Sequence, residues 1–324
     1  MQTIWRKVSR GWGRWKPFVS PLFLMAIFAF LGKTLYDHWH EMSSVQITAL
    51  GWSCLVIATG VTLFAHVWTG WVWGWILQEL GQPVSRIWAA QAYLKTNIAK
   101  YLPSNLLHLY GRAIAAKDQG VPLAIASLSV LLDTLLMAAS GLILGLFSIP
   151  RDWLPFTVFG IVCILIGLHP KLLGRLIRRL SAKLNLHTTE DSSDGLRSRM
   201  VTRYPAGPLL GEVGFIVLRG IGFVLTVAAL TPISLSVVPI LISIYSIGWV
   251  LGFITPGAPG GLGIFELTVS ALLTQQELFH NDPGFSVGIA ISAVAIHRLI
   301  STLAEAIGAV LAWADERWPL PFGR

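Results

Sequence analysis

The stretch TPGAPGGLGIFE, residues 255–266, interrupts an apolar run with two prolines and four glycines, then resumes with Glu266 in what reads as the first turn of a new helix. Proline removes a backbone donor and glycine permits left-handed backbone, so a continuous helix through this stretch is disfavoured. In water such a break is an ordinary turn. In hydrocarbon it leaves peptide groups unpaired at several kcal/mol each, unless protein or a wet cavity covers them. The meaning of the break therefore depends on the solvent around it, which the rest of the chain must supply.

Of 324 residues, 54% are hydrophobic and 12% charged, about half the charged share of ordinary soluble domains. Apolar segments on the scale of the ~20 helical residues that cross a ~30 Å hydrocarbon core recur along the chain. They fall at 17–36, 45–77, 121–148, 153–169, 208–230, 236–254, 264–279 and 285–313. This predicts an all-α, polytopic helical membrane protein with about eight transmembrane helices and interrupted or re-entrant segments. The span at 264–279 is short enough to be a half-helix. The longest polar interval, 171–203, has too few apolar residues for a core of its own. The expected organisation is a basic cytoplasmic segment at 1–16, one integral domain at 17–313 that includes the basic cytoplasmic loop 171–203, and a tail at 314–324. Residues 1–31 carry the basic and apolar parts of a secretory signal without a small-residue cleavage site after Leu31, and read as a retained first span.

Orientation follows from Lys and Arg, which are retained near cytoplasmic span ends. Twenty of the 24 fall on one face, in the N-terminus, residues 79–120, the interval 171–203 and the C-terminus; Lys33 and Arg151 fall on the other. Both termini are thus expected in the cytoplasm, and the location is a cell (inner) membrane. Arg219 and Arg298 remain inside spans. The net charge of +8 does not argue for nucleic acid: Arg175, Arg178, Arg179 and Lys183 read as a span end meeting anionic headgroups. Cys54 and Cys163 lie in apolar runs with no disulfide or zinc spacing. No metal site, cofactor or catalytic set is expected, and neither G-x-x-x-x-G-K-[ST] nor G-x-G-x-x-G occurs. Trp68, Trp71, Trp73 and Trp75 read as an aromatic belt at the headgroup level, with a substrate cage as the alternative, and they are left out of the site.

A second break lies in residues 83–120. Lys95, Asn97 and Lys100 interrupt the first part, LPSN at 102–105 stops the helix, and a helix from Leu106 to Lys117 places His108 and Arg112 on one face. Two readings stay open: an amphipathic hairpin on the cytoplasmic leaflet, or a re-entrant pair that binds a headgroup. At the opening stretch, Gly260, Gly261 and Gly263 allow positive φ. A helix from near Leu262 aims free amides and its positive dipole end at the same place, a setting suited to phosphate, while an ordinary turn stays open. Glu266 either complements that dipole or turns sideways to a cation.

The candidate headgroup-binding set is Lys100, Asn105, His108, Arg112, Gly260, Gly261, Gly263, Glu266 and Arg298. Asp133, Glu212, Arg219 and Glu305 form a candidate intramembrane charge network, because each costs at least ~2.5–3.5 kcal/mol to bury alone. The pairs Glu212 with Arg219 and Arg298 with Glu305 are seven residues apart, roughly 10 Å along a helix axis, so their partners must come from other helices. Fixed ion pairs and a polar pathway are both open. His66 and His297 read as satisfied core residues.

KYLPSNLLHLYGRA at 100–113, Asp133, PGGLGIFE at 259–266 and HRLISTLAE at 297–305 together resemble the transmembrane domain of lysylphosphatidylglycerol synthases and the related flippase-like integral membrane family, over about residues 17–313. The resemblance implies movement of a phospholipid or polyprenyl-linked lipid between leaflets, or support of a lipid-modification pathway, with Lys100, Arg112, Glu266 and Arg298 as functional positions. Two departures bear on it. No soluble aminoacyl transferase domain follows residue 324, so lipid aminoacylation is not expected of this chain. Ser104 and Asn105 stand where family members often have a glycine after proline. The expected function is a lipid translocase whose partners are membrane lipids rather than nucleic acid. The alternative is a membrane enzyme, or enzyme subunit, of a lipid-linked glycan or lipid-modification pathway.

Overall fold

A computed structural model describes residues 36, 47–101, 106–149, 151–168, 204–255, 258–275 and 287–317. Nearly all of the expected first span, the basic loop 171–203, Asn105 and residues 318–324 lie outside them. The described residues form nine α-helices and no strand: α1 (Ala49–Glu79), α2 (Arg86–Asn97), α3 (Leu107–Asp118), α4 (Leu123–Gly145), α5 (Leu154–Gly167), α6 (Ala206–Ala228), α7 (Val238–Ile254), α8 (Ile264–Gln275) and α9 (Val287–Arg317).

Local sequence sets the ends. The Thr48 hydroxyl caps α1 by accepting from the Gly51 N–H at 3.1 Å. Pro155 and Pro239 sit in the first turns of α5 and α7, where the missing N–H costs nothing. Among the described residues, α1, α4, α6, α7 and α9 are long and apolar enough to cross a membrane. Within the described residues, the spans expected at 153–169 and 264–279 contain helices of 14 and 12 residues, about 21 and 18 Å long.

α1 packs most extensively on α6 and α2, α4 on α7, α6 and α3, and α9 on α1, α2 and α8. One apolar cluster gathers Trp73, Ile76 and Leu77 of α1 with Ala89, Ala113, Leu128 and Leu136 of α2, α3 and α4. A second gathers Phe223, Tyr245, Phe265, Val269 and Ala293 of α6 to α9. Charged side chains are buried as well, among them Arg112, Asp133, Glu212, Arg219 and Glu305. Outward, Val56, Ile57 and Phe64 of α1 and Phe156, Phe159 and Ile166 of α5 are exposed, a surface suited to lipid rather than water.

The tryptophan-rich end of α1 is not a uniform belt. Trp73 is fully buried, and its indole N–H donates to the Ser129 hydroxyl at 3.2 Å. Trp68 donates to the Gly211 carbonyl at 2.8 Å. Trp71 and Trp75 hold the Arg86 guanidinium at 4.4 and 5.3 Å from their ring centres, so the chain's own arginine occupies what could otherwise serve as a cage for a cation.

Glycine lets α1 and α2 close on each other. A Cβ on Gly70 would lie 2.7 Å from the Ala90 Cα and 2.9 Å from the Tyr93 Cβ. Gly70→Val is therefore expected to push α2 outward and cost about 1–3 kcal/mol, measured by denaturant titration in detergent. Gly60→Val, where the added Cβ meets nothing, is expected to change stability little.

Candidate functional site

The two breaks meet. Residues Ile98–Tyr101 continue α2 as a 3-10 turn, and Pro259–Gly261 form another before α8. The Tyr101 ring packs so closely on Gly260 that a Cβ there would lie 2.9 Å from it. Gly260, Gly261 and Gly263 have φ of 58°, 73° and 78°, left-handed values that strain any L side chain. Glycine is thus required by conformation at all three, and at Gly261 also by space: an added Cβ would meet the Gly252 backbone of α7 at 2.9–3.0 Å.

Behind this junction lies a cavity of about 60 Å³, space for about four waters or one phosphoryl group. Lys100, His108, Arg112, Arg219, Arg298 and Glu305 line its polar side, together with Gly260 and Gly261. Asp133, Glu212, Gly263 and Glu266 do not line it. Asp133 and Glu266 stand behind it, each holding a lining arginine: Asp133 Oδ2 accepts from Arg112 Nη1 at 2.5 Å, and Glu266 Oε1 lies 3.1 Å from Arg298 Nε. The Glu212 carboxylate accepts from Thr69 Oγ1 at 3.1 Å and lies within hydrogen-bonding reach of Asp133.

Glu305 is the hub. Lys100 Nζ donates to its Oε1 at 2.7 Å and the Tyr101 hydroxyl to its Oε2 at 3.0 Å; His66 Nε2 lies at 3.1 Å and Arg219 Nη1 at 3.8 Å. The ion-pair partners of these spans do come from other helices, as the seven-residue spacing requires. His66 Nε2 also stands 2.8 Å from Arg219 Nη1. A single ring nitrogen cannot both donate to Glu305 and accept from Arg219, so the imidazole must choose one partner. Arg219 Nε also donates to the Tyr245 hydroxyl at 2.7 Å.

Glu266 does two jobs at once. Its Oε2 accepts from the Gly263 N–H at 2.8 Å while its other oxygen faces Arg298, so it both caps α8 and turns sideways to a cation. The α8 N-terminus is thus already served by a carboxylate, and the cations of the cavity are what remain for an anion. Arg298 Nη2 donates to the Gly260 carbonyl at 2.5 Å, which ties α9 to the kink. Burial holds the Lys100 ammonium below its ordinary value, to about 8, with Glu305 pulling the other way. Burial and then Glu305 raise the Tyr101 phenol, which stays an O–H donor.

Lys100 and Arg112 entered the cytoplasmic charge count, yet they face the cavity: the Lys100 side chain is 19% exposed and that of Arg112 3%. Sequence reasoning missed His66 and the aromatic wall of Tyr93, Tyr101, Phe215 and Trp249. A histidine on an apolar helix gives no signal that separates a core role from a cavity role. Tyr101 abuts the LPSN break, and that adjacency was the available clue.

Residues 17–308 match the family model described as the lysylphosphatidylglycerol synthase TM region. No curated protein matches the chain.

Proposed function

The chain belongs to the lysylphosphatidylglycerol synthase transmembrane-region family, and from that premise we propose that it moves a phospholipid or polyprenyl-linked lipid between membrane leaflets. The polar head shelters in the charged cavity while the acyl chains stay in lipid. The observation that carries this reading is the convergence of Lys100, Arg112, Arg219 and Arg298 on one cavity where two helix breaks meet. Each of these cations is already engaged, Lys100 by Glu305, Arg112 by Asp133, Arg219 by Tyr245 and Glu305, and Arg298 by Glu266 and the Gly260 carbonyl, and a phosphate with several oxygens competes for the same donors. Lys100 and Arg298, at 19% and 11% exposure, are the accessible ones and make the first contact; Arg219 and Arg112 lie deeper.

The cavity accommodates a phosphoryl group but not a whole headgroup, so passage widens it, and the Tyr101 contact on Gly260 is the seam that parts. The protein sits in the inner membrane with both termini cytoplasmic, and transport draws on an ion gradient or downhill lipid flow.

Reconstitution into liposomes with fluorescent phosphatidylglycerol, and a membrane-impermeant quencher to report the exposed leaflet, tests the reading. Wild type is expected to accelerate exchange over empty liposomes. Arg298→Ala is expected to slow it roughly tenfold, the equivalent of ~1.4 kcal/mol. The fold should persist, because Glu266 keeps its bond to the Gly263 N–H. Equal rates for the two proteins would refute the site. No exchange above empty liposomes for anionic, zwitterionic and prenyl lipids would refute translocation.

A further inference from the structure

Asp133 on α4 and Glu212 on α6 are both fully buried and lie within hydrogen-bonding reach of each other. Two ionised carboxylates cannot bond, since neither has a donor. The charged and titratable groups around them do not offset two negative charges. α3 supplies Arg112, bonded to Asp133 Oδ2, with His108 on the same buried face. α1 supplies the Thr69 hydroxyl to Glu212, and its His66 is engaged at Glu305. α2 supplies the neutral phenol of Tyr93, and Glu305 of α9 is already paired with Lys100. α5 and α7 also pack on α4 or α6 but bring no charged side chain: Cys163 is exposed and Tyr245 is bonded to Arg219. One cation therefore faces two acids. Asp133 Oδ1 has no hydrogen-bond donor among the described residues.

We propose that Asp133 and Glu212 form a proton site, with one proton on Glu212 donated to Asp133, and that a lipid phosphate engaging Arg112 makes the pair take up a second. Glu212 holds the resident proton because only a hydroxyl faces it, whereas Asp133 keeps its charge against Arg112. That proton supplies the donor Asp133 lacks. When phosphate oxygens draw the Arg112 guanidinium toward the cavity, Asp133 loses its counter-charge in a low-dielectric setting. A proton from the aqueous phase then neutralises it, leaving two carboxylic acids. Headgroup binding thereby carries one proton inward, a route by which a proton gradient drives lipid. This second step rests on the headgroup reading above; the resident proton does not.

Two measurements on the full chain test it. Infrared difference spectra of the reconstituted protein at neutral pH are expected to show a buried carboxylic-acid C=O band that shifts in D₂O and is lost in Glu212→Gln. The side-chain amide introduced by that substitution conserves a donor to Asp133, so the variant should remain folded by denaturant titration. Absence of the band, or its survival in the variant, overturns the proton site. In weakly buffered detergent solution, dihexanoyl phosphatidylglycerol is expected to bind calorimetrically and draw on the order of one proton per protein from a pH dye. Inorganic phosphate in a parallel arm identifies whether the phosphate alone suffices. Lipid binding without proton uptake overturns the coupling and leaves the headgroup reading intact; neither binding nor uptake overturns both.

Discussion

Glu305→Ala is expected to cost about 3–5 kcal/mol, the range for stripping one partner from a buried ionic cluster, and to remove most folded protein at moderate denaturant. Lys100 and Arg219 lose their shared carboxylate, and Tyr101 loses an acceptor, all at a residue 3% exposed. Glu305→Gln should be milder, because the amide oxygen still accepts from Lys100. Adding Lys100→Met to Glu305→Gln should recover part of the loss by removing the cation that the carboxylate had balanced. Size-exclusion profiles and denaturant titrations of the variants read this directly. Wild-type stability for Glu305→Ala would show that these short contacts contribute nothing to the fold.

Gly261→Ala is the second large effect. An alanine there carries the left-handed penalty of about 1–2 kcal/mol and drives its Cβ into the Gly252 backbone, which has no rotamer through which to yield. Overpacking of this kind adds roughly 1–3 kcal/mol. The kink must move off α7, taking with it the Gly260 carbonyl that holds Arg298. Loss of stability and of lipid exchange should therefore appear together. Gly263→Ala is the matched control, with φ of 78° but open space around the added Cβ, so it should carry the conformational penalty alone. Equal effects from the two substitutions would remove the contact with Gly252 from the explanation.

The helical class was legible because burying a span requires length and apolarity, and both are properties of a continuous stretch. The two breaks were legible for the converse reason: the prolines and glycines of LPSN and PGAPGG disfavour a continuous helix whatever surrounds them. Asp133, Glu212, Arg219 and Glu305 stood out because each is costly in hydrocarbon. Their partners were not readable. Whether Arg219 meets Glu305 or Glu212 depends on how α6 and α9 are rotated about their axes, and no local residue pattern encodes that. Trp73 shows the same limit: its spacing matches the other belt tryptophans, but α2 and α4 cover it and leave Trp71 and Trp75 to Arg86. The meeting of Tyr101 with Gly260 joins residues 159 apart in the chain, a proximity only the packed fold supplies.

The Glu305 hub also orders events during synthesis. Lys100 lies 205 residues ahead of Glu305 in the chain, so at about 5–20 residues per second it leaves the ribosome roughly 10–40 s earlier. Until α9 follows, the translocon and surrounding lipid must host cations whose counter-ion has not yet been made, and insertion of that closing helix is the step that commits the nascent chain to its final arrangement.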